Sequence, residues 1–263
     1  GIAPRGAAQA IPRLVKDLEA TPVDYGGDFR AVGDTVLLAG YKHATGYELW
    51  KSDGTPEGTR LLKELNPGRN GSFPSEFTPV GKYVFFSAFQ EPSEIGNELW
   101  RTDGTPEGTM LVKDINPGSF SSPRNFFAWQ NQLIFSADDG VHGTEPWISD
   151  GTPEGTRMLK DIVTGTGDSM LSCFTPTVDR LYFLAESPDD GTWRRICYIE
   201  GTSGKVGYLP PKDFRRPNGL ASLGGFLYFA AIERSTGKWK LWKSDGTVAG
   251  TRKVTYMSLS GYN

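Results

Sequence analysis

The chain has 263 residues, 33 of them glycine and 18 proline, so these two types make up about 19% where average usage gives roughly 12%. With 37% hydrophobic residues and a formal net charge of −3 it has the composition of a folding, turn-rich protein without the electrostatic footprint of a nucleic-acid binder, and it has no apolar run of the ~18 residues a membrane helix needs. Two cysteines and two histidines, His43 and His142, exclude a disulfide framework, a four-cysteine zinc site and a three-histidine metal centre.

In chain order, the first patterned segment is Arg13-Leu14-Val15-Lys16-Asp17-Leu18. Next come a tight turn at Val32-Gly33-Asp34, the apolar run Val36–Ala39, and Glu48-Leu49-Trp50-Lys51-Ser52-Asp53-Gly54-Thr55-Pro56-Glu57-Gly58-Thr59, followed by Leu61-Leu62-Lys63-Glu64-Leu65. The order then repeats. Tyr83–Ala88 precedes Glu98-Leu99-Trp100 and Asp103-Gly104-Thr105, followed by Leu111-Val112-Lys113-Asp114-Ile115. Leu133–Ala137 precedes Glu145-Pro146-Trp147 and Asp150-Gly151-Thr152, followed by Met158–Ile162. Leu181–Ala185 precedes a decayed copy, Ile196-Cys197-Tyr198 with Glu200, Thr202 and Gly204. Phe226–Ala231 precedes Lys240-Leu241-Trp242 and Asp245-Gly246-Thr247, followed by Thr251–Thr255.

The aromatic anchors Trp50, Trp100, Trp147, Tyr198 and Trp242 mark five repeats of about 44 to 51 residues. Short aromatic and β-branched runs bounded by turn residues read as strands, and no segment has helical periodicity. Four strands recurring every ~40 to 50 residues predict an all-β, five-bladed β-propeller of four-stranded antiparallel blades. The whole chain forms one domain in this reading, with blades at about 28–65, 75–115, 125–162, 172–209 and 219–257. The fourth-strand pattern occurs six times, at 13–18 and once per repeat, so one terminal copy is expected to complete the last blade and the other to extend or cover an edge.

The repeated residues have structural work to do. Asp53, Asp103, Asp150 and Asp245 are placed to accept backbone N–H groups in their own turns. Trp50, Trp100, Trp147 and Trp242 are placed to pack on a neighbouring blade. A calcium site on the four aspartates is the alternative, although one carboxylate per repeat falls short of the six to eight oxygens calcium takes. The motif at 48–59, 98–109, 145–156 and 240–251 resembles the bacterial proteins named for their ELWxxDGT repeat, and the likeness extends over nearly all of residues 13–257. That resemblance implies a secreted or cell-surface β-propeller and transfers no catalytic residue. The fourth repeat departs from it at Tyr198, Glu200 and Gly204.

The variable loops are therefore the place to look for a site. In a propeller the second-to-third and fourth-to-first loops share one face and the Asp-Gly-Thr turns lie on the other. The first set carries Trp193 and Trp239, which either start third strands or stack on a sugar ring. The second set repeats a serine beside a bulky residue, in Gly71-Ser72-Phe73, Gly118-Ser119-Phe120 and Asp168-Ser169-Met170, and the fifth repeat has Asp213-Phe214-Arg215-Arg216-Pro217 instead. Arg69, Arg124, Arg215 and Arg216 lie in or beside these loops. Arg69, Phe73, Phe120, Arg124, Trp193, Phe214, Arg215 and Trp239 are the candidate ligand contacts, with Phe73 and Phe120 equally suited to plugging gaps between blades. His43 and His142, and the pairs Asp138-Asp139 and Asp189-Asp190, read as polar turn residues. Cys173 and Cys197, on the first and third strands of one blade with a strand between, are too far apart for a disulfide and are expected as two buried thiols.

Without a recognisable catalytic constellation, the sequence points to a noncatalytic module binding carbohydrate or another cell-surface ligand, as a monomer or an edge-paired dimer. A protein-interaction or adhesion scaffold is the second reading. A glycoside hydrolase is the third, for which Asp28, Glu76, Asn125, Cys173 and Gly219, near the starts of the first strands, offer few carboxylates.

Overall fold

The structure is a computed structural model that describes Val15 and residues 28–91, 95–187, 193–210 and 213–254. Among the described residues twenty strands form five four-stranded antiparallel sheets, each made of four strands consecutive in the chain. The first sheet holds β1 (Phe29–Val32), β2 (Thr35–Lys42), β3 (Gly46–Ser52) and β4 (Arg60–Lys63), and the second β5 (Ser75–Val80), β6 (Tyr83–Gln90), β7 (Gly96–Thr102) and β8 (Met110–Lys113). The third holds β9 (Arg124–Trp129), β10 (Gln132–Asp138), β11 (Thr144–Ser149) and β12 (Arg157–Met158), and the fourth β13 (Ser172–Pro176), β14 (Arg180–Ser187), β15 (Trp193–Glu200) and β16 (Lys205–Tyr208). The fifth holds β17 (Phe214–Leu223), β18 (Phe226–Glu233), β19 (Trp239–Ser244) and β20 (Arg252–Lys253). Its first strand starts at Phe214, earlier than the pattern suggests, because Phe214 and Arg215 pair with Glu233 and Ile232 beyond two bulges. The fourth place in this sheet is filled by β20 beside β19. The copy at 13–18 lies outside the described residues apart from Val15, which is exposed.

The sheets are blades of a β-propeller fold. Each is apolar on both faces in its second and third strands, so it must be covered on both. Four clusters do this between neighbours. Leu37, Leu49, Leu62 and Leu65 of the first sheet meet Phe77, Phe86 and Trp100 of the second. Val80, Phe85, Leu99 and Ile115 meet Leu133, Phe135 and Trp147. Ile134, Ile148 and Ile162 meet Leu181, Phe183 and Ile199. Tyr182, Leu184 and Ile196 meet Phe214, Phe229 and Trp242. Trp100, Trp147 and Trp242 thus each pack on the preceding sheet, and their place in the repeat predicts packing on a neighbouring blade. The fourth strand contributes through alternate residues, Leu62 and Val112 inward and the intervening lysines outward. Those lysines also tie blades together: Lys63 donates to the Thr109 carbonyl at 2.6 Å, and Lys113 to that of Thr156 at 2.8 Å.

Candidate functional site

The Asp-Gly-Thr turns are closed structural units. In the second blade Asp103 Oδ1 accepts the Thr105 N–H at 2.9 Å and its hydroxyl at 2.6 Å. Asp53, Asp150 and Asp245 make the same pair of bonds. The threonine hydroxyl bonds hold the carboxyls of Asp53, Asp103 and Asp245 below the usual carboxylate range. Gly108 completes the turn because a Cβ there would collide with the Asp103 carboxylate. Among the described residues no three His, Cys, Asp or Glu side chains gather as a metal site.

At the opposite end, the second-to-third hairpin of each of the first three blades is locked under the linker leading to the next blade. Glu48, Glu98 and Glu145, two residues before the tryptophans, are fully buried. Glu98 accepts the Ile115 and Ser121 N–H groups at 2.9 and 3.0 Å, and the Ser121 hydroxyl. Glu48 accepts Leu65 N–H, Asn66 N–H and the Ser72 hydroxyl. Glu145 accepts Ile162 and Val163 N–H, and the buried Ser169 beside it donates to the Thr144 carbonyl. Burial raises all three carboxyls, those of Glu98 and Glu145 to about 7, against the pull of these hydrogen bonds. Gly46, Gly96 and Gly143, two residues earlier, have positive φ, and a Cβ on any of them would run into linker backbone.

This lock corrects the alignment of the linkers. Ser72, Ser121 and Ser169 are the equivalent buried serines, and Phe73, Ser122 and Met170 follow them with φ of 48, 46 and 44°. The Gly-Ser-Phe match at 118–120 is therefore two residues out of step: Phe120 stands where the first linker has Gly71. Phe73 and Phe120 are both exposed, at 41% and 53%, by different routes. Phe73 lies 5.5 Å from the Tyr47 ring, which itself meets Tyr41. Phe120 stacks on Phe89 at 5.9 Å beside a cavity of about 350 Å³ lined also by Gln90, Glu91, Gly96, Gly118 and Ser119.

The other candidates disperse. Arg69 is exposed on the linker. Arg124 donates to the Thr144 hydroxyl at 3.2 Å, a contact within the third blade. Trp193 and Trp239 both start third strands, and Trp239 lines a cavity of about 180 Å³ between the fourth and fifth sheets; the side chain of Trp193 lies outside the described residues. Arg215 is exposed and lines the adjoining cleft. Phe214 is 2% exposed at the floor of that cleft, with its ring packed on Phe229 and Trp242 at 5.0 and 5.3 Å, so it serves the core rather than an open loop. His142 bonds Asp139 at 2.8 Å, which raises its pKa, and Asp138 and Asp139 accept N–H groups of their own turn. Asp189 and Asp190 lie outside the described residues.

The two cysteines are free, with Cys197 buried as expected, but Cys173 is exposed. It occupies the inner position shared with Glu76, Asn125 and Gly219, each with φ near 60°, which turns its side chain out of the sheet packing. Asp28 and Glu76, at this inner end, accept the N–H groups of Phe77 and Phe126 in the next blade. Tyr41, Phe89, Gln90, Glu91 and Arg194 were missed by reading the loops alone, because the strands run further into the loop face than the apolar runs do.

These features define a propeller whose blade seams, at the linker end, carry the variable side chains. No protein-family model matches the chain, and no curated protein matches it. It is similar in fold to a puromycin hydrolase crystal structure, with 13% identity and TM-score 0.50 over 96% of this chain and 41% of that one. It also resembles a prolyl endopeptidase structure (15% identity, TM-score 0.49, 89% and 35%) and a Mycobacterium tuberculosis puromycin-hydrolyzing peptidase (17%, 0.47, 84% and 37%). The chain spans about two fifths or less of the length of these structures, and the likeness is one of fold.

Proposed function

We propose that the protein is a noncatalytic binding module that takes carbohydrate in the seams between blades. The observation that carries this reading is the exposed Phe89–Phe120 stack, which forms one wall of a cavity beside the polar groups of Gln90, Glu91 and Ser119. A pyranose needs that combination, an aromatic surface for its C–H face and a few fixed hydrogen-bonding groups for its hydroxyls. The Tyr41–Tyr47–Phe73 group gives the preceding seam a related surface, so weak sites recur around the ring and suit a multivalent ligand. Asp28 and Glu76 are occupied in blade-to-blade bonds, which argues for the seams over a hydrolytic centre at the inner strands. A glycan array followed by calorimetry tests the proposal: Phe120→Ala is expected to weaken binding of a neutral oligosaccharide about tenfold with unchanged melting temperature. No array hit at high protein density, or equal affinity in the variant, defeats it.

We further propose that the five sheets close into a five-bladed ring exposed on a cell surface or secreted. Trp50 is only 2% exposed, although it lies on the face of the first sheet turned away from the second, where its counterparts Trp100 and Trp147 are covered by a preceding sheet. A closed monomer of this length has a radius of gyration of about 18 Å. A clearly larger value for the monomer in small-angle scattering is the outcome that counts against closure.

A further inference from the structure

The seam between the fourth and fifth sheets is built differently from the three before it. Elsewhere the hairpin is locked under the linker by a glycine, a glutamate and a serine: Gly46, Glu48 and Ser72; Gly96, Glu98 and Ser121; Gly143, Glu145 and Ser169. In the fourth hairpin Phe183 and Ala185 pair with Cys197 and Arg195 as Phe86 and Ala88 pair with Trp100 and Glu98, so the glycine position is Trp193 and the glutamate position is Arg195. The Leu209 N–H bonds the Ile196 carbonyl at 2.9 Å, as the Leu159 N–H bonds that of Pro146 in the third blade, and among the described residues no carboxylate stands beside it. The serine position is Arg215. Arg216, which follows it, has φ of 52° and precedes Pro217, just as Phe73 precedes Pro74. All three locking residues have been replaced at one seam, and two of the replacements are arginines.

The result is a cationic groove. Arg194, Arg216, Glu186, Asn218, Pro217 and Trp239 line the cavity of about 180 Å³, and Arg194, Arg195 and Arg215 line the cleft that adjoins it. Among the described residues lining the cavity and cleft, four arginines stand with one carboxylate, Glu186, on a protein whose formal net charge is −3. Among the described residues the guanidinium groups of Arg194, Arg215 and Arg216 make no hydrogen bond or ion pair, whereas Arg180 and Arg124 are engaged. Arg216 is held in the left-handed region, a backbone cost that local packing must offset, and the side chain gains nothing for it inside the fold. Three guanidinium groups at one seam, those of Arg194, Arg215 and Arg216, are complementary to an anion from outside.

We propose that this seam binds an acidic saccharide: a pyranose laid against Trp239 with its carboxylate held by Arg194, Arg215 and Arg216. Guanidinium suits this role because its planar fork donates two parallel N–H groups to one carboxylate. The cavity has room for a single ring, which makes this a site for one uronate residue of a longer chain. The inference deepens the carbohydrate reading by naming the ligand class of one seam, and it rests on that reading for the sugar while standing on the arginines for the charge.

The test uses the whole protein, with trigalacturonate and its fully methyl-esterified form as probes, by calorimetry at low salt and by the Trp239 indole resonance. Trigalacturonate is expected to shift that resonance and to bind about tenfold or more tighter than the neutral ester. The double variant Arg215→Ser, Arg216→Gln should lose the acid preference while keeping its melting temperature, since both side chains are exposed. Added sodium chloride should weaken the acid and leave the ester unchanged. Asp189→Asn with Asp190→Asn, just after Glu186 in the sequence, should leave acid binding equal or tighter, and weaker acid binding in that variant counts against the site. Equal affinity for acid and ester, or an acid preference that survives in the arginine variant, overturns the proposal. Loss of neutral-sugar binding in wild-type protein with retained acid preference overturns the Phe120 seam instead and leaves this one standing.

Discussion

Replacing Glu98 by alanine isolates what the buried lock is worth. The carboxylate is 0% exposed and accepts two backbone N–H groups, of Ile115 and Ser121, and the Ser121 hydroxyl. Alanine leaves both N–H groups buried without an acceptor, at about 1–3 kcal/mol each, or roughly 2–6 kcal/mol together. The hydroxyl costs less, because Ser121 Oγ also lies 3.3 Å from the Asn97 carbonyl. Glutamine keeps one acceptor oxygen, so Glu98→Gln should cost only about half as much. Unfolding entropy scaled to this length makes each kcal/mol worth about 2 °C, so the alanine variant should melt some 4–11 °C lower. Urea denaturation gives the free energy directly if the slope is unchanged. A loss under 1 kcal/mol for alanine, or one equal for alanine and glutamine, would refute the account of the lock as a set of buried donors awaiting an acceptor.

Two further outcomes follow from the same residues and their neighbours. Burial lifts Glu98 and Glu145 to about 7, so the folded protein keeps protons that the unfolded chain releases near pH 4.5; that stabilisation is complete below about pH 4.5 and lost as pH rises through about 7, on the order of 3 kcal/mol per group. Melting temperatures should fall from pH 5 to pH 8 and do so less in Glu98→Gln, and a rise of similar size over that range would contradict the assignment. A maleimide added to native protein should label Cys173 and spare Cys197 until denaturation, as read by intact mass, because the first is exposed and the second buried with its thiol pushed well above the normal range; labelling of neither in native protein would refute the exposure of the inner position.

Much of the architecture was legible because it is repeated. A tryptophan at constant distance from an Asp-Gly-Thr turn fixes a third strand, its turn and a fourth strand together. Five copies make the period visible even where Tyr198 and the turn at Gly201–Ser203 replace the motif. The same repetition misled at the linkers. Gly118-Ser119-Phe120 looks like Gly71-Ser72-Phe73, but chemistry sets the register: only Ser121 reaches the buried Glu98, so the visual match slips by two. Phe214 was misplaced for a related reason. Its charged neighbours Asp213, Arg215 and Arg216 make the segment read as a loop, whereas pairing to Glu233 and Ile232 makes it a strand and alternation turns its ring inward. Exposure of Cys173 was hidden because positive φ at a non-glycine position leaves no mark in a sequence.

The fourth seam shows what the lock is for. Without the carboxylate, the glycine and the serine, the fourth and fifth sheets still meet, through Phe214 packed on Phe229 and Trp242 and through Leu184, Ile196 and Leu209 around them. Apolar contact therefore suffices to hold two blades side by side, as the non-directional character of hydrophobic burial requires. What the glutamate adds in the other seams is direction: two or three hydrogen bonds per linker, each fixed to within a few tenths of an ångström, pin the loop backbone against the hairpin and leave no room for a side chain at Gly46, Gly96 or Gly143. Giving up that lock opens the seam, and the vacated glutamate and serine positions are those that now bear Arg195 and Arg215. The departure of the fourth repeat from its consensus is in this sense coordinated. An isolated loss of Glu would strand buried N–H groups, and an isolated Ser-to-Arg change would set a cation against a buried carboxylate. Together the changes trade a structural contact for a groove whose charge points outward.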